Sequence, residues 1–449
     1  MAHIAIIGNG ISGITAARHI RKRSKDRITV ISSETEHFFS RTALMYVYMG
    51  HMKYENIKPY EDRFWAKNNI DLVFGYVNKI DYSAQSLSFD DGSTLDYDSL
   101  VLAVGSKPNV FDWPGKDLPQ VQGLYSWQDL ESMEKWSPTT RRAVIVGGGL
   151  IGVEMAEMFR TRGIEVTFLV REDRFWGGVL PSEEGELITN HIREHHVDLR
   201  LSTTLEEILA DDNGNVRAIR TSTGEEIDCE FVGLTVGVRP NVDFLKGAEL
   251  ELGRGILVDG FCRTNLPNVY AIGDCAERRN PVSGRRPIEQ VWYTGKMMGE
   301  AVARTLTGDP TEYKPGHWFN SAKFFDIEYQ TYGWVRNQLA EGESDFYWQH
   351  PDGRKCVKIV FETDGRKLIG INVFGIRLRH TVLDRMLEEE RTVDYLLEHW
   401  RDALFDPEFY RDHILDILHC FNDQFGTSIR PKKKNWVRIF NAQQTWMPI

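Results

Sequence analysis

Apolar positions in this chain fall into two textures. Over most of its length they form short unbroken runs, several of which end at glycine. Ile4-Ala5-Ile6-Ile7 runs into Gly8-Asn9-Gly10-Ile11-Ser12-Gly13, and Ala143-Val144-Ile145-Val146 into Gly147-Gly148-Gly149-Leu150-Ile151-Gly152. Short, continuously apolar runs predict strands buried on both faces, as in a parallel sheet. Further runs of this kind lie at residues 28–31, 99–104, 165–170, 231–235 and 268–272, the last ending in Gly273-Asp274 before an expected helix. Residues 37–50, rich in aromatic and sulfur side chains, predict a core helix. Alternating segments at 73–80 and 86–89, joined by Asp90-Asp91-Gly92-Ser93, predict a strand meander. From about residue 312 the texture changes. Aromatic-rich stretches at 318–330, 346–350, 356–361 and 368–375 predict an antiparallel sheet, and residues 378–420 predict helices.

Each strand, glycine turn and helix opening is a fingerprint for holding a dinucleotide pyrophosphate. Gly8 allows the tight turn, Gly10 leaves room for the phosphates, and Gly13 lets helix and strand pack closely. The helix N-terminus then binds the anion through free N–H groups and the positive end of its dipole. Glu34 follows the second strand, about 20 residues on, where a carboxylate accepts ribose hydroxyls. Gly147, Gly149, Ile151 and Gly152 repeat the pattern, and a further glycine turn at Gly237 leads the chain back toward the first domain. At the end of the second unit Arg171 and Arg174 suit a 2′-phosphate and favour NADPH, while Glu172 between them suits free ribose hydroxyls and keeps NADH open.

Composition narrows the field. The 449 residues are enough for about three domains. A net charge of −11 argues against nucleic acid as a partner. The five cysteines at 229, 262, 275, 356 and 420 form no CxxC or CxxxxC, so neither a zinc framework nor a dithiol redox pair is expected. The first strand starts near residue 3, and no apolar run is long enough for a membrane span, which makes a cytoplasmic protein the expectation. His191, His195 and His196 lie at i, i+4 and i+5, a spacing that places two imidazoles on one helix face as metal ligands would be. With no Cys or HExxH partner they are expected on a solvated face, and no metal is expected. Lys432–Lys434 is expected to be a solvated tail, with docking of an acidic electron carrier as the sharper reading.

The order of GNGISG, Glu34, LAVGSKP, GGGLIG, TVGVRPN and YAIGDCA resembles the pyridine nucleotide–disulfide oxidoreductase superfamily. Without an N-terminal CxxxxC it looks like the branch of rubredoxin, ferredoxin and nitrite-reductase-type NAD(P)H reductases. The resemblance covers roughly residues 3–375. It implies an α/β fold with two Rossmann-like domains, one for FAD and one for NAD(P), plus a C-terminal α+β interface domain with a helical extension. The boundaries expected are 1–113 and 237–311 for FAD, 114–236 for NAD(P), 312–377 for the interface domain and 378–449 for the extension.

Carried over by resemblance, Gly8, Gly10, Gly13, Glu34 and Arg41 hold the FAD diphosphate and adenosine. Val77 touches the adenine, and Ala103 and Gly105 pass beside the flavin nucleotide. Gly273 and Asp274 approach the ribityl chain, and Gln290 and Val291 begin the helix aimed at the flavin pyrimidine edge. Glu154 corresponds to the glutamate near the nicotinamide and is the single candidate catalytic residue. Arg41 occupies the position where related NADH oxidases carry their redox cysteine, so thiol chemistry has no nucleophile there. Tyr46 stands where relatives often have lysine. The expected function is an FAD-dependent NAD(P)H oxidoreductase passing electrons to a ferredoxin- or rubredoxin-like protein, a quinone or another small oxidant. The alternatives are a redox-responsive NAD(P)H/FAD-binding protein, which the tail aromatics Trp436, Phe440 and Trp446 keep open, or an electron-input subunit of a larger complex. The interface domain leaves a homodimer as one assembly to expect.

Overall fold

The computed structural model describes residues 1–247, 249–282, 284–405 and 411–432. Contacts divide the chain into two compact units, residues 1–171 with 196–315 and residues 172–195 with 316–449.

The first unit contains two parallel five-stranded sheets. In one, His3–Ile7 lies centrally between Arg27–Ser32 and Ser99–Leu102, with Ile70–Phe74 and Val269–Ala271 outside them. Ala5, Ile6, Leu100 and Val101 are wholly buried, as unbroken apolar runs require. The chain builds outward on one side of His3–Ile7 and then returns to its other side. That reversal opens a crevice at the strands' carboxyl ends, the usual ligand position in such sheets. The helix Ile11–Arg23 leaves the first strand and packs on Trp292–Leu306. The approach is possible because Gly299 is small, since a Cβ there would lie 2.6 Å from the Ser12 carbonyl oxygen.

The second sheet repeats this plan. Arg142–Val146 sits between Glu165–Leu169 and Phe231–Leu234, with Val197–Arg200 and Val121–Gln122 beyond. Two antiparallel segments, Ser106–Pro108 and Val238–Pro240, carry the chain out to this sheet and back. Gly237 sits at φ +91°, a conformation only glycine takes without strain. Tyr48 ties the two halves together. Its hydroxyl meets Ser137 Oγ at 2.5 Å, and the Arg162 guanidinium stacks 3.6 Å above its ring, donates to its carbonyl and pairs with Glu134. Arg162→Ala removes a partly buried cation–π contact and a charged hydrogen bond, an expected loss of about 2 kcal/mol. Urea unfolding of variant against parent measures it.

In the second unit the sheet order is Phe319–Phe324, Ile327–Gly333, Leu368–Phe374, Cys356–Glu362, Glu343–Gln349, all antiparallel. The single strand expected over 318–330 is two, turning at Phe325-Asp326. Phe325 takes φ +55° there, a turn that no glycine or asparagine announces. Helices His380–Glu388, Val393–Glu398 and Ile414–Phe425 bury Leu383, Leu396, Ile417 and Phe421 with Ile359 and Ile371 of the sheet. Lys358 and Asn372, one place along each strand, point to the opposite face and meet Glu183 and Glu184 of the helix Ser182–Glu194.

Several local expectations change. The helix expected over 37–50 is only a 3-10 turn, Arg41–Ala43, and one short α-helix, Leu44–Tyr48. The 378–420 region is a series of separate short helices. Residues 406–410 and 433–449, including Lys433, Lys434, Trp436, Phe440 and Trp446, lie outside the described residues. Among the described residues no helix is long and apolar enough to cross a membrane.

Candidate functional site

The two glycine turns have nearly the same geometry. Gly8 lies at φ +113°, its N–H donates to the Ile31 carbonyl at 2.8 Å, and a Cβ would sit 2.1 Å from the Ala103 carbonyl oxygen. A Cβ on Gly13 would be 2.0 Å from the Gly8 carbonyl oxygen, whereas one on Gly10 would meet nothing within 4 Å. In the second turn Gly147 lies at φ +116°, donates to Leu169, and a Cβ would sit 2.6 Å from the Thr235 carbonyl oxygen. Gly152 is confined by the Gly147 carbonyl at 2.5 Å, and Gly149 opens on empty space. Thr235 Oγ1 ties this turn by donating toward the Val146 and Gly147 carbonyls at 2.9 and 3.1 Å. In both turns the outer glycines serve packing and the middle one leaves a bare ledge at a helix N-terminus. Such a ledge accommodates a diphosphate.

Around the first ledge the structure brings together residues far apart in sequence. Arg41 grips Glu34 with two bonds, Nη1 to Oε1 at 2.8 Å and Nη2 to Oε2 at 2.6 Å, and the Trp127 N–H adds a third donor at 2.9 Å. Arg41 also donates to the Tyr125 carbonyl and lies 4.4 Å over the Tyr125 ring. Burial works against its charge, but Glu34 more than compensates, so the guanidinium titrates above its ordinary value. Gln290 Nε2 donates to Ser106 Oγ at 2.6 Å, and the Ser106 N–H to the Tyr125 hydroxyl at 2.9 Å. Asp274 belongs to the same group. Burial raises its carboxyl above the usual range against the opposing pull of Ser106, Arg41 and Tyr125. Burial, with Asp274 next, pushes the Tyr125 phenol up to about 12. Gly105 at φ +68° passes this hydroxyl so closely that a Cβ would lie 3.0 Å from it.

The helix expected after Asp274 does not follow it directly. Gly273–Cys275 is a 3-10 turn followed by the strand Ala276–Arg278. The helix beyond begins at Trp292 with Val291 as its N-cap, so Glu289 and Gln290 precede it. Glu289 is buried against Arg285, with bonds of 2.5 and 2.8 Å, which neutralises an acid beside that helix start. Val77 is buried in the strand Val77–Asp81 and Ala103 is buried beside Gly8. Ser106, Tyr125 and Trp127 escaped the sequence reading. Only the Ser126 N-cap, a marker of helix start rather than of chemistry, signalled that region.

On the second site Ile151 and Glu154 lie in the helix Leu150–Thr161, and exposed Arg171 follows the strand Glu165–Leu169. Glu172 is half-buried. Arg174 pairs with Asp173 at 3.1 Å and lays its stem against Gly185. Of the three histidines expected on a solvated face, only His196 is fully exposed. His195 is half-buried and His191 buried, because the hairpin at Phe325-Asp326 packs on them. Of the basic run, Lys432 is paired with Glu398 at 3.1 Å.

Residues 2–299 match the family described as pyridine nucleotide-disulphide oxidoreductase. The chain belongs to this family. The rhodocoxin reductase of Rhodococcus erythropolis is 30% identical over 326 residues, covering 72% of this chain and 76% of that protein. A ferredoxin–NAD(P)(+) reductase of Sphingomonas sp. is 28% identical over 415 residues, 90% and 96% of the two chains. The nitrite reductase [NAD(P)H] of Bacillus subtilis (strain 168) is 29% identical, and the present chain spans 48% of its length. Among solved structures, an NAD-dependent persulfide reductase from A. fulgidus superposes with TM-score 0.83 at 26% identity, covering 94% of this chain and 84% of that one.

As a member of this family the chain is an FAD-dependent NAD(P)H oxidoreductase with two Rossmann-like domains and a C-terminal domain. Four of its five cysteines are shut away from solvent. Cys229, Cys262, Cys275 and Cys356 are buried, and burial lifts the first three thiols to about 12, far from a thiolate at neutral pH.

Proposed function

We propose that this oxidoreductase carries electrons from NAD(P)H to a small iron–sulfur protein. The observation that carries the reading is Arg41, locked onto Glu34 beside the first ledge where thiol-using relatives of the superfamily have a cysteine. Rhodocoxin reductase and the Sphingomonas ferredoxin reductase, by name, serve such partners. FAD held on the first ledge would supply the exchange between a hydride donor and one-electron acceptors.

The chain's own residues bind and orient. Gly8, Gly10 and Gly13 take the FAD diphosphate on bare backbone. A carboxylate offers about four acceptor sites, and three of those on Glu34 are filled by Arg41 and Trp127. For Glu34 to receive both ribose hydroxyls, Arg41 turns from it toward the phosphates, exchanging one anion for another. Val77, Ala103 and Gly105 line the nucleotide. Asp274, Ser106, Tyr125 and Gln290 form a connected hydrogen-bonding wall for the ribityl side, and Gly273 before Asp274 packs closely on Ser12. Val291 opens a helix whose positive end favours negative charge on the flavin ring. Gly147, Gly149, Ile151, Gly152 and Gly237 shape the nicotinamide site, and Glu154 positions the nicotinamide. Arg171, Glu172 and Arg174 set the choice between NADPH and NADH.

The test is anaerobic. Purified protein is expected to show a flavin spectrum that NADPH or NADH bleaches, and a [2Fe–2S] ferredoxin is expected to restore it with turnover. A flavin that neither nucleotide bleaches contradicts the reading. Slow reoxidation by ferredoxin and quinone alike, with a change of oligomer size on reduction, favours the redox-responsive binding protein. Arg171→Glu is expected to shift the NADPH/NADH preference toward NADH by about tenfold or more, equivalent to about 1.4 kcal/mol.

A further inference from the structure

The second unit holds a cluster that electron transfer does not use. On the last turn of the helix Ser182–Glu194, His191 and the following His195 both face Asp326, from the tight turn between Phe319–Phe324 and Ile327–Gly333. We propose that His191, His195 and Asp326 bind one divalent transition-metal ion of the zinc or cobalt type, joining this helix to the hairpin.

The donor atoms are already gathered. One from each residue lies within 4.8 Å of the others. His191 Nε2 is 2.6 Å and His195 Nε2 3.6 Å from Asp326 Oδ1. Bonds of about 2.0–2.1 Å in a tetrahedral site put neighbouring ligand atoms roughly 3.3 Å apart, between these two spacings.

The surroundings aim each donor at the same point. His195 Nδ1 lies 2.9 Å from the His191 carbonyl, which can only accept, so the proton sits on Nδ1 and the Nε2 lone pair faces Asp326. The His195 ring is stacked on Phe325 with centroids 4.2 Å apart. Phe325 holds the left-handed conformation, unfavourable for a side chain of its size, and that conformation is part of the turn presenting Asp326. Arg354 takes the other oxygen, Oδ2, at 2.9 Å and leaves Oδ1 toward the imidazoles. His191 Nδ1 faces Glu194 at 3.7 Å, so its Nε2 is the atom turned inward.

A second observation comes from His191 itself. Its side chain is 2% exposed, Nδ1 has no hydrogen-bond partner among the described residues, and the close contact of Nε2 is the 2.6 Å approach to Asp326 Oδ1. A buried imidazole so short of partners is costly, and an ion at Nε2 would fix the ring proton on Nδ1, the atom that faces Glu194. Asp326 is exposed, which gives an ion access from solvent and leaves a position for water. Two imidazoles and one carboxylate suit zinc, cobalt and nickel rather than calcium or magnesium. The ion's part here is to join the helix Ser182–Glu194 to the hairpin.

Cobalt(II) alone is the probe. Chelator-treated protein titrated with CoCl₂ is expected to take up one ion per chain, with visible d–d bands of a tetrahedral site that EDTA abolishes, and to unfold at a higher temperature. His195→Ala and Asp326→Asn, both at exposed or half-exposed positions, are expected to weaken uptake by more than about tenfold, since losing even an outer partner costs that much. His196→Ala is expected to bind as the parent does. Flavin bleaching by NAD(P)H is expected to be the same in all three variants, which separates this site from the nucleotide sites. Uptake that fails to saturate, or that survives both ligand substitutions, overturns the proposal.

Discussion

Gly10→Leu is expected to yield a folded protein that holds no flavin, while Gly13→Ala is expected not to fold stably. The two residues stand three positions apart in one turn, but their surroundings are opposite. A Cβ at Gly10 meets nothing within 4 Å, and the residue has an ordinary extended backbone, φ −69° and ψ −179°, as the helix N-cap. Leucine there leaves the protein core untouched and stands over the helix N-terminus, where a diphosphate would lie. FAD affinity should fall at least about a hundredfold, or about 2.7 kcal/mol. At Gly13 a Cβ would lie 2.0 Å from a backbone oxygen of the same turn and 3.2 Å from the Ile6 side chain. Backbone cannot move aside as a flexible side chain can, so the cost is about 3 kcal/mol or more, a large share of a typical stability of 5–15 kcal/mol. Circular dichroism, urea unfolding and the flavin-to-protein absorbance ratio read both outcomes. A yellow Gly10→Leu protein would remove the first turn from the FAD site. Gly149→Leu, at the equivalent open position, is expected to keep the flavin and lose bleaching by nicotinamide.

Stability of the second unit is expected to fall as pH rises from 5 to 8 and to level off above, and Glu184→Gln is expected to remove that dependence. The Glu184 side chain is fully buried, with Oε2 accepting from Asn372 at 2.8 Å and Oε1 unpartnered. Burial raises its carboxyl to about 8 from an ordinary 4.5, more than the opposing pull of Asn372 and Lys358. The folded state therefore keeps a proton that the unfolded chain gives up at lower pH. The stabilisation is complete below the unfolded value and is lost as pH climbs through the folded one, at up to about 1.4 kcal/mol per pH unit. Glutamine keeps the shape and the Asn372 bond without the titration. The variant should match the parent near pH 5 and be the more stable of the two at pH 8. Denaturant midpoints of both proteins at pH 5, 6.5 and 8 measure the difference, and parallel curves would refute the buried neutral acid.

Much of the nucleotide-binding apparatus was legible in the sequence because its signals are local. An apolar tetrad followed by spaced glycines encodes strand, turn and helix within a dozen or so residues, and both turns formed with the packing that the spacing requires. The aromatic-rich texture from about residue 312 likewise marked an antiparallel sheet, since aromatic side chains favour strands. Local signals failed where a residue's fate depended on distant chain. Asp274 reads as standing before a helix, since the local residues give no sign of the strand Ala276–Arg278 that follows it. In the fold it instead faces Ser106, Tyr125 and Arg41, from three other parts of the sequence. The hairpin at Phe325-Asp326 escaped notice because phenylalanine is not a residue that announces a left-handed turn. The same omission left His191 read as solvated.

The sequence alone therefore determined the two glycine turns, the strands that carry them and the absence of a cysteine at position 41, because each is written in residues adjacent along the chain. Only the tertiary structure decided what those turns are surrounded by. It drew Arg41 onto Glu34, joined Ser106, Tyr125, Asp274 and Gln290 into one hydrogen-bonded wall, and set Asp326 against two histidines. Side-chain pairings leave no periodic trace, whether the partners are 7 residues apart, as Arg41 and Glu34 are, or 184, as Gln290 and Ser106 are, and burial, which fixes whether a carboxyl or imidazole is charged, exists only once the chain has closed around it.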